Sequence, residues 1–254
     1  MYQACIFDLD GTLADTVESI ANVANQILEK FGLPAQPVND YKYHAGDGGD
    51  VLMERCMRAA GGDFTHLAEG QKLYREIFAK NPLYKVTVFD GMRETLTELK
   101  RRGVRLAVLS NKPHEATYLA VTGLFGDDVF DVIQGLEPGM KRKPAPDGAW
   151  KIAEALSVKP EDCMYVGDTN TDMQTGKTAG MYTIGVLWGF RDRQELEENL
   201  PDQKNVALGG FCVKRAGEKL PVGTYIIAVL AVNRVNGLRL WNTTGKYLTE
   251  EKHV

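Results

Sequence analysis

Short apolar runs alternate with amphipathic stretches along most of this chain, and no other feature narrows its fold as far. Residues 4–7, 105–109, 129–133, 163–166 and 183–187 are apolar runs of strand length. Between them, residues 91–102, 113–122, 146–156 and 169–179 carry the three- and four-residue apolar spacing of helices. Strand–helix–strand units at this spacing require right-handed crossovers, so the expected fold is α/β, with a doubly wound, parallel, Rossmann-like sheet. Reactive groups in such a sheet belong just beyond the carboxyl ends of the strands.

One stretch breaks the alternation. After the first strand, residues 15–83 are helical in pattern. Ile20, Val23, Ala24, Ile27, Leu28 and Phe31 form one amphipathic stripe, and residues 51–60 and 67–78 form two more. The expected organisation is therefore a core of residues 1–14 and 84–203 and a small inserted helical domain of residues 15–83, placed over the strand ends. Residues 204–254 differ from both. They hold eight Lys or Arg and three Glu, against 22 basic and 31 acidic residues before them. They are rich in β-formers at 225–230 and 238–241, with Asn236-Gly237 suited to a hairpin turn. The shift fits either a β-rich extension or a change of reading frame. The second is the favoured reading, with poor packing expected beyond about residue 204.

The net charge of -4 supplies no overall field for a polyanion, so nucleic acid is not an expected partner. No apolar run approaches the roughly 20 residues needed to cross a bilayer, so no membrane partner is expected. The chain opens directly on a strand-like segment, without the basic and apolar regions of a secretory leader. Cys5, Cys56, Cys163 and Cys212 are scattered, with no CxxC and no zinc-like spacing to His. A reduced, cytoplasmic protein, monomer or homodimer, is expected.

Four segments at the strand ends carry candidate chemistry. The first is Phe7-Asp8-Leu9-Asp10-Gly11-Thr12, with two carboxylates two residues apart and a glycine that lets the chain turn. Next comes Ser110-Asn111-Lys112, where Ser110 reads either as a site hydroxyl or as a cap for the following helix. Lys141-Arg142-Lys143-Pro144 places cations in a loop. Gly167-Asp168-Thr169-Asn170-Thr171-Asp172 adds two more carboxylates where a helix begins. Because one sheet brings these four ends together, they converge on a cluster of hard oxygen ligands with a hydroxyl and a lysine. Such a cluster suits magnesium and a phosphoryl group.

Phe7–Leu13, Ser110–Lys112, Lys143–Asp147 and Gly167–Asp172 together resemble the four ordered motifs of the haloacid dehalogenase superfamily, over about residues 2–200. The helical insertion resembles that family's small cap. Within the family, Gly46-Asp47-Gly48-Gly49-Asp50-Val51-Leu52 and Glu54-Arg55 look most like phosphoglycolate phosphatases. The resemblance implies a magnesium-dependent phosphatase acting on a small phosphorylated metabolite. Asp8 would be the nucleophile and Asp10 the general acid and base. Asp8 and Asp168 would bind Mg2+ through their side chains and Asp10 through its backbone carbonyl, with Asp172 in support. Ser110 and Lys143 would grip the phosphoryl oxygens, Asn111 and Thr12 would also belong to the substrate site, and Thr12 would steady the first loop. An acid at Asp10 favours phosphate over halide chemistry, because a halide needs no proton. Lys42, His44 and Arg55 are further candidates for substrate contact. The motifs also admit a sugar phosphomutase or a pyrophosphatase, and more distantly a non-catalytic phosphate-binding module.

Overall fold

The computed structural model describes residues 2–199, 206–208, 240–241 and 247–248. Its centre is β1 (Ala4–Phe7), every residue of which is buried. β1 pairs in parallel with β4 (Arg105–Pro113) on one side and with β6 (Cys163–Gly167) on the other. With β5 (Val132–Leu136), β7 (Tyr182–Gly185) and β8 (Val206–Leu208), these form one parallel sheet in the order β5-β4-β1-β6-β7-β8. The chain first builds outward to one side of β1 and then returns to build on the other. That reversal opens a crevice at the carboxyl end of β1.

The two-residue alternation of β1 sorts its side chains between two cores. Cys5 and Phe7 join Leu106, Val108, Met164 and Val166 on one face. This face is covered by α5 (Met92–Arg101) and α6 (His114–Phe125). Ala4 and Ile6 join Ala107, Leu109, Cys163 and Tyr165 on the other, beneath α7 (Asp147–Ala155). Removing a side chain as large as Phe7 or Ile6 from water contributes about 1.5–3 kcal/mol. α8 (Asn170–Thr178) follows β6, and α9 (Arg193–Glu198) packs on it through Leu196 and Met173.

The helical insertion comprises α1 (Val17–Lys30), α2 (Tyr41–His44), α3 (Gly49–Ala59) and α4 (Leu67–Lys80). Its own core gathers Ile20, Ala24, Ile27, Met53, Met57 and Tyr74, with Phe190 reaching in from the sheet domain. Both connections run through a two-stranded antiparallel ribbon, β2 (Ala14–Asp15) with β3 (Thr87–Val88).

The strand expected at residues 129–133 lies three positions later. Asp131 explains the shift: its amide donates to Leu106 O at 2.7 Å, and its carboxylate accepts from Leu106 N at 2.7 Å. The side chain thus takes over the first ladder bond, while Phe130 is buried in the core without belonging to a strand. Beyond residue 204, Val206–Leu208 pairs in parallel with β7, and β9 (Leu240–Trp241) pairs antiparallel with β10 (Tyr247–Leu248). The run at 225–230, the expected turn at Asn236-Gly237 and the expected poor packing of the tail lie outside the described residues.

Candidate active site

β1 delivers Asp8 to the crevice. Its amide still donates to Val166 O at 2.8 Å, prolonging the sheet by one residue, and the carboxylate is almost wholly buried. The chain then turns tightly around Leu9 O, which accepts from the amides of Thr12, Leu13 and Ala14 at 3.3, 3.1 and 3.1 Å. Gly11 makes the turn possible at φ +90, and a Cβ there would lie 2.3 Å from Asp168 Oδ2. Gly189 closes the other side, where a Cβ would lie 2.3 Å from Asp168 Cβ. Asp168 is therefore gripped between two glycine backbones. Thr12 Oγ1 donates to its Oδ1, and Phe190 N donates to its Oδ2, both at 2.7 Å.

Asp168 does not cap the following helix. Thr169 does so, in a reciprocal capping box with Asp172. Thr169 N and Oγ1 donate to Asp172 Oδ2 at 3.1 and 2.7 Å. Asp172 Oδ1 is left to face Lys143 at 2.7 Å and Tyr165 OH at 3.3 Å. Lys143 Nζ also donates to Asp8 Oδ1 at 2.8 Å and to Leu109 O at 3.3 Å. Ser110 lies within β4 rather than at a helix cap, and its Oγ accepts from Lys112 N at 3.2 Å. Asn111 is occupied by backbone. Its Nδ2 donates to Gly46 O at 3.0 Å and Lys143 O at 3.1 Å, and its Oδ1 accepts from Lys143 N at 2.8 Å.

Asp8, Asp168 and Asp172 thus place carboxylate oxygens within 4.8 Å of one another, all buried. Burial pushes the Asp8 carboxyl well above its ordinary pKa. Lys143 opposes the shift, while Asp172, Asp168 and Asp10 add to it. Burial, then Asp172, push Asp168 up to about 7, against the hydrogen bonds from Phe190 and Thr12. For Lys143, burial works against the ammonium, but Asp172 and Asp8 outweigh it and leave its pKa raised. Three buried carboxylates around one lysine carry a surplus of negative charge on hard oxygen donors, which is the chemistry of a divalent-cation site.

Asp10 stands apart from this trio. Its Oδ1 lies 2.5 Å from Lys112 Nζ, and that ammonium rests 4.6 Å from the centroid of the Phe78 ring on α4. The expected site residues therefore converge, but each of the paired carboxylates has its own lysine.

The insertion is stitched down over this centre by several polar contacts, and Arg191, to which the sequence reading gave no role, makes the most buried of them. Arg191, almost fully buried, donates to Lys42 O and to Ala45 O, the latter at 2.9 Å, and pairs with Glu195 at 3.0 Å. Thr171 Oγ1 donates to Asp47 Oδ1 at 2.9 Å, and Arg142 Nη1 donates to Asp47 O at 3.3 Å. Arg55 pairs with Asp47 at 2.5 Å and donates to His44 O at 3.1 Å, so it braces its own loop. Burial lowers the His44 pKa, and its Nε2 is buried with no hydrogen-bond partner among the described residues. Nothing in the local sequence around Arg191 marks it, and its carbonyl partners are more than 140 positions away.

Residues 5–186 match the family model of the haloacid dehalogenase-like hydrolases. The chain is similar to the phosphoglycolate phosphatase of Aquifex aeolicus, with 32% identity over 197 residues, 78% of this chain and 89% of that one. It is also 30% identical over 198 residues to the phosphoglycolate phosphatase of Pectobacterium atrosepticum, 77% of this chain and 85% of that one. Among solved structures, a candidate phosphoglycolate phosphatase from Lactobacillus delbrueckii subsp. bulgaricus has a TM-score of 0.74 at 31% identity, over 78% of this chain and 91% of that one.

Proposed function

The chain belongs to the haloacid dehalogenase-like hydrolases and is a phosphatase, and from that premise we propose that it hydrolyses a small phosphoglycolate-like monoester through an aspartyl phosphate on Asp8. The observation that supports this most directly is the division between two carboxylates two residues apart. Asp8 lies within the buried carboxylate trio, held by Lys143, while the Asp10 side chain lies outside it, held by Lys112. One is equipped to attack an anionic phosphoryl group, and the other is free to move protons.

In this reading Asp8 Oδ forms a bond to phosphorus as the bond to the leaving oxygen breaks, and Asp10 gives that oxygen its proton. Asp10 then accepts a proton from water as the water oxygen attacks phosphorus, releasing phosphate and restoring the Asp8 carboxylate. Lys143 binds a phosphoryl oxygen by exchanging its longest contact, that to Leu109 O at 3.3 Å. Ser110 Oγ accepts from the Lys112 amide, which leaves its own hydrogen to donate to phosphate. Asn111 positions the Lys143 loop, and Thr12 orients Asp168.

The cofactor that fits the trio is Mg2+, which Asp8 and Asp168 would hold through their carboxylates and Asp10 through its backbone carbonyl, with Asp172 in support. When bound it would offset phosphoryl charge and favour the ionised form of Asp8. Free, buried thiols at Cys5, Cys56 and Cys163 support a reducing, cytoplasmic setting. Among the described residues no helix is long and apolar enough to cross a membrane.

The test is phosphate release from a panel of short phosphate esters, with and without Mg2+, for the native chain and Asp8→Asn. Mg2+-dependent release that is lost in Asp8→Asn is expected. Release that persists in Asp8→Asn, or folded protein that releases none from any ester, contradicts the reading.

A further inference from the structure

Lys112 has no task in the scheme above beyond touching Asp10. Its side chain is 8% exposed, and among the described residues its ammonium makes one hydrogen bond, to Asp10 Oδ1 at 2.5 Å. An ammonium has three donors, so capacity remains for a ligand. Its other close neighbour is the Phe78 ring, 4.6 Å from Nζ, which holds the charge by a cation–π contact. A buried lysine costs several kcal/mol to desolvate unless it is well paired, so the position of this one calls for a reason.

The position of the leaving group supplies it. Asp10 must come within hydrogen-bond reach of the leaving oxygen to protonate it. Lys112 lies one hydrogen bond beyond Asp10, so its ammonium is about 5 Å from that oxygen. In a leaving group of the form O–CH2–COO⁻, the carboxyl carbon is two bonds of about 1.5 Å from the ester oxygen. Its oxygens therefore span the gap to Nζ. Lys143 is committed to Asp8 and Asp172, whereas Lys112 touches Asp10, the group placed beside the departing portion of the substrate.

We propose that Lys112 is a specificity-determining residue that recognises a carboxylate carried one carbon from the phosphoester oxygen. Such recognition suits the phosphoglycolate-like substrate already proposed above and assigns its carboxylate a partner. Phe78 belongs to α4 of the insertion, so this recognition is complete only when the insertion sits over the core. The inference rests on the phosphatase reading above and deepens it.

The experiment compares kcat/KM for 2-phosphoglycolate and its neutral isostere 2-phosphoglycolamide, in wild type, Lys112→Met and Lys112→Arg. Both esters need Asp10, so loss of its lysine partner lowers both; the ratio between them reads recognition. Wild type is expected to prefer the acid by about 30-fold, the worth of one charge-assisted hydrogen bond. Lys112→Met should abolish most of that preference, and Lys112→Arg should keep much of it. Equal losses on both esters in Lys112→Met would make Lys112 a positioning residue for Asp10 alone and overturn the proposal. If Lys112→Met does not fold, the wild-type preference decides, and equal rates on acid and amide overturn the proposal. Wild-type enzyme that hydrolyses neither ester but cleaves other phosphate esters overturns the inference while leaving the phosphatase reading intact.

Discussion

Lys143 lies 2.8 Å from Asp8 although 135 residues separate them in sequence, and both are buried. The same ammonium reaches Asp172 at 2.7 Å, so one cation holds two acids that the sheet brings together. Lys143→Met should lower kcat for phosphate release by about 10²- to 10³-fold, the loss typical of one preorganised donor. It also leaves buried carboxylates without a cation, which should cost about 3 kcal/mol of stability in metal-free protein. Steady-state kinetics and urea unfolding measure the two effects. A variant as active as wild type contradicts the arrangement.

The first loop has no tolerance at Gly11. Its φ of +90 already disfavours a side chain, and a Cβ would fall 2.3 Å from Asp168 Oδ2. Gly11→Ala should lose at least about 2 kcal/mol of stability through strain and displaced contacts. Affinity for Mg2+ should fall with it, because the carboxylate in the way is a proposed ligand. Isothermal titration with Mg2+ and thermal unfolding would show both losses. Gly32, which has nothing within 4 Å of its would-be Cβ and a φ of +70, serves as the control for backbone strain alone.

Asp168 makes the stability of the metal-free protein depend on pH. Burial and Asp172 push its pKa from the ordinary 3.8 to about 7. Between those values the folded chain holds a proton that the unfolded chain has released. Its contribution is therefore full below about pH 4 and declines as pH rises to about 7. A bound cation favours the ionised form and reverses the loss. The Tm gain on adding Mg2+ should thus grow from pH 5 to pH 8 in wild type, and stay small and flat in Asp168→Asn. An equal gain in both proteins would contradict the assignment.

Arg191 ties the loop carrying Ala45 to the core, with its guanidinium 2.9 Å from Ala45 O and 3.0 Å from Glu195. Arg191→Met keeps the stem but removes the donors. The expected result is a kcat/KM about 10-fold lower on the best substrate, from a loop that no longer orders the closed site. Hydrogen exchange of the 42–48 amides should rise in parallel. Unchanged exchange there would show that other contacts suffice.

The sheet was legible because periodicity records burial. Residues 4–7 are buried on both faces and read as a strand with their observed ends. The run at 129–133 misled because Phe130 is apolar for packing, while the ladder position before Val132 is taken by the Asp131 carboxylate. Asp8, Asp10, Asp168 and Lys143 were readable as residues that follow strands. Their pairing was not, since which lysine meets which carboxylate depends on side-chain placement across 102 and 135 residues. Asn111 shows the same limit: its motif was visible, but not that its amide turns to the backbone of Gly46 and Lys143. Arg191 left no signal, because a lone arginine beyond the last motif acquires its role only when the insertion folds over it.

The most direct measurement is of Asp8 itself during turnover. Asp10→Asn removes the base that should activate water, so a phosphorylated enzyme should accumulate when this variant is mixed with Mg2+ and 4-nitrophenyl phosphate, whose leaving group departs without a proton from Asp10. Rapid acid quench followed by peptide mass spectrometry should find a hydroxylamine-labile phosphate on the peptide carrying Asp8, and none in Asp8→Asn. Phosphate release by an active enzyme with no such adduct on Asp8, or an adduct on another residue, would contradict the account.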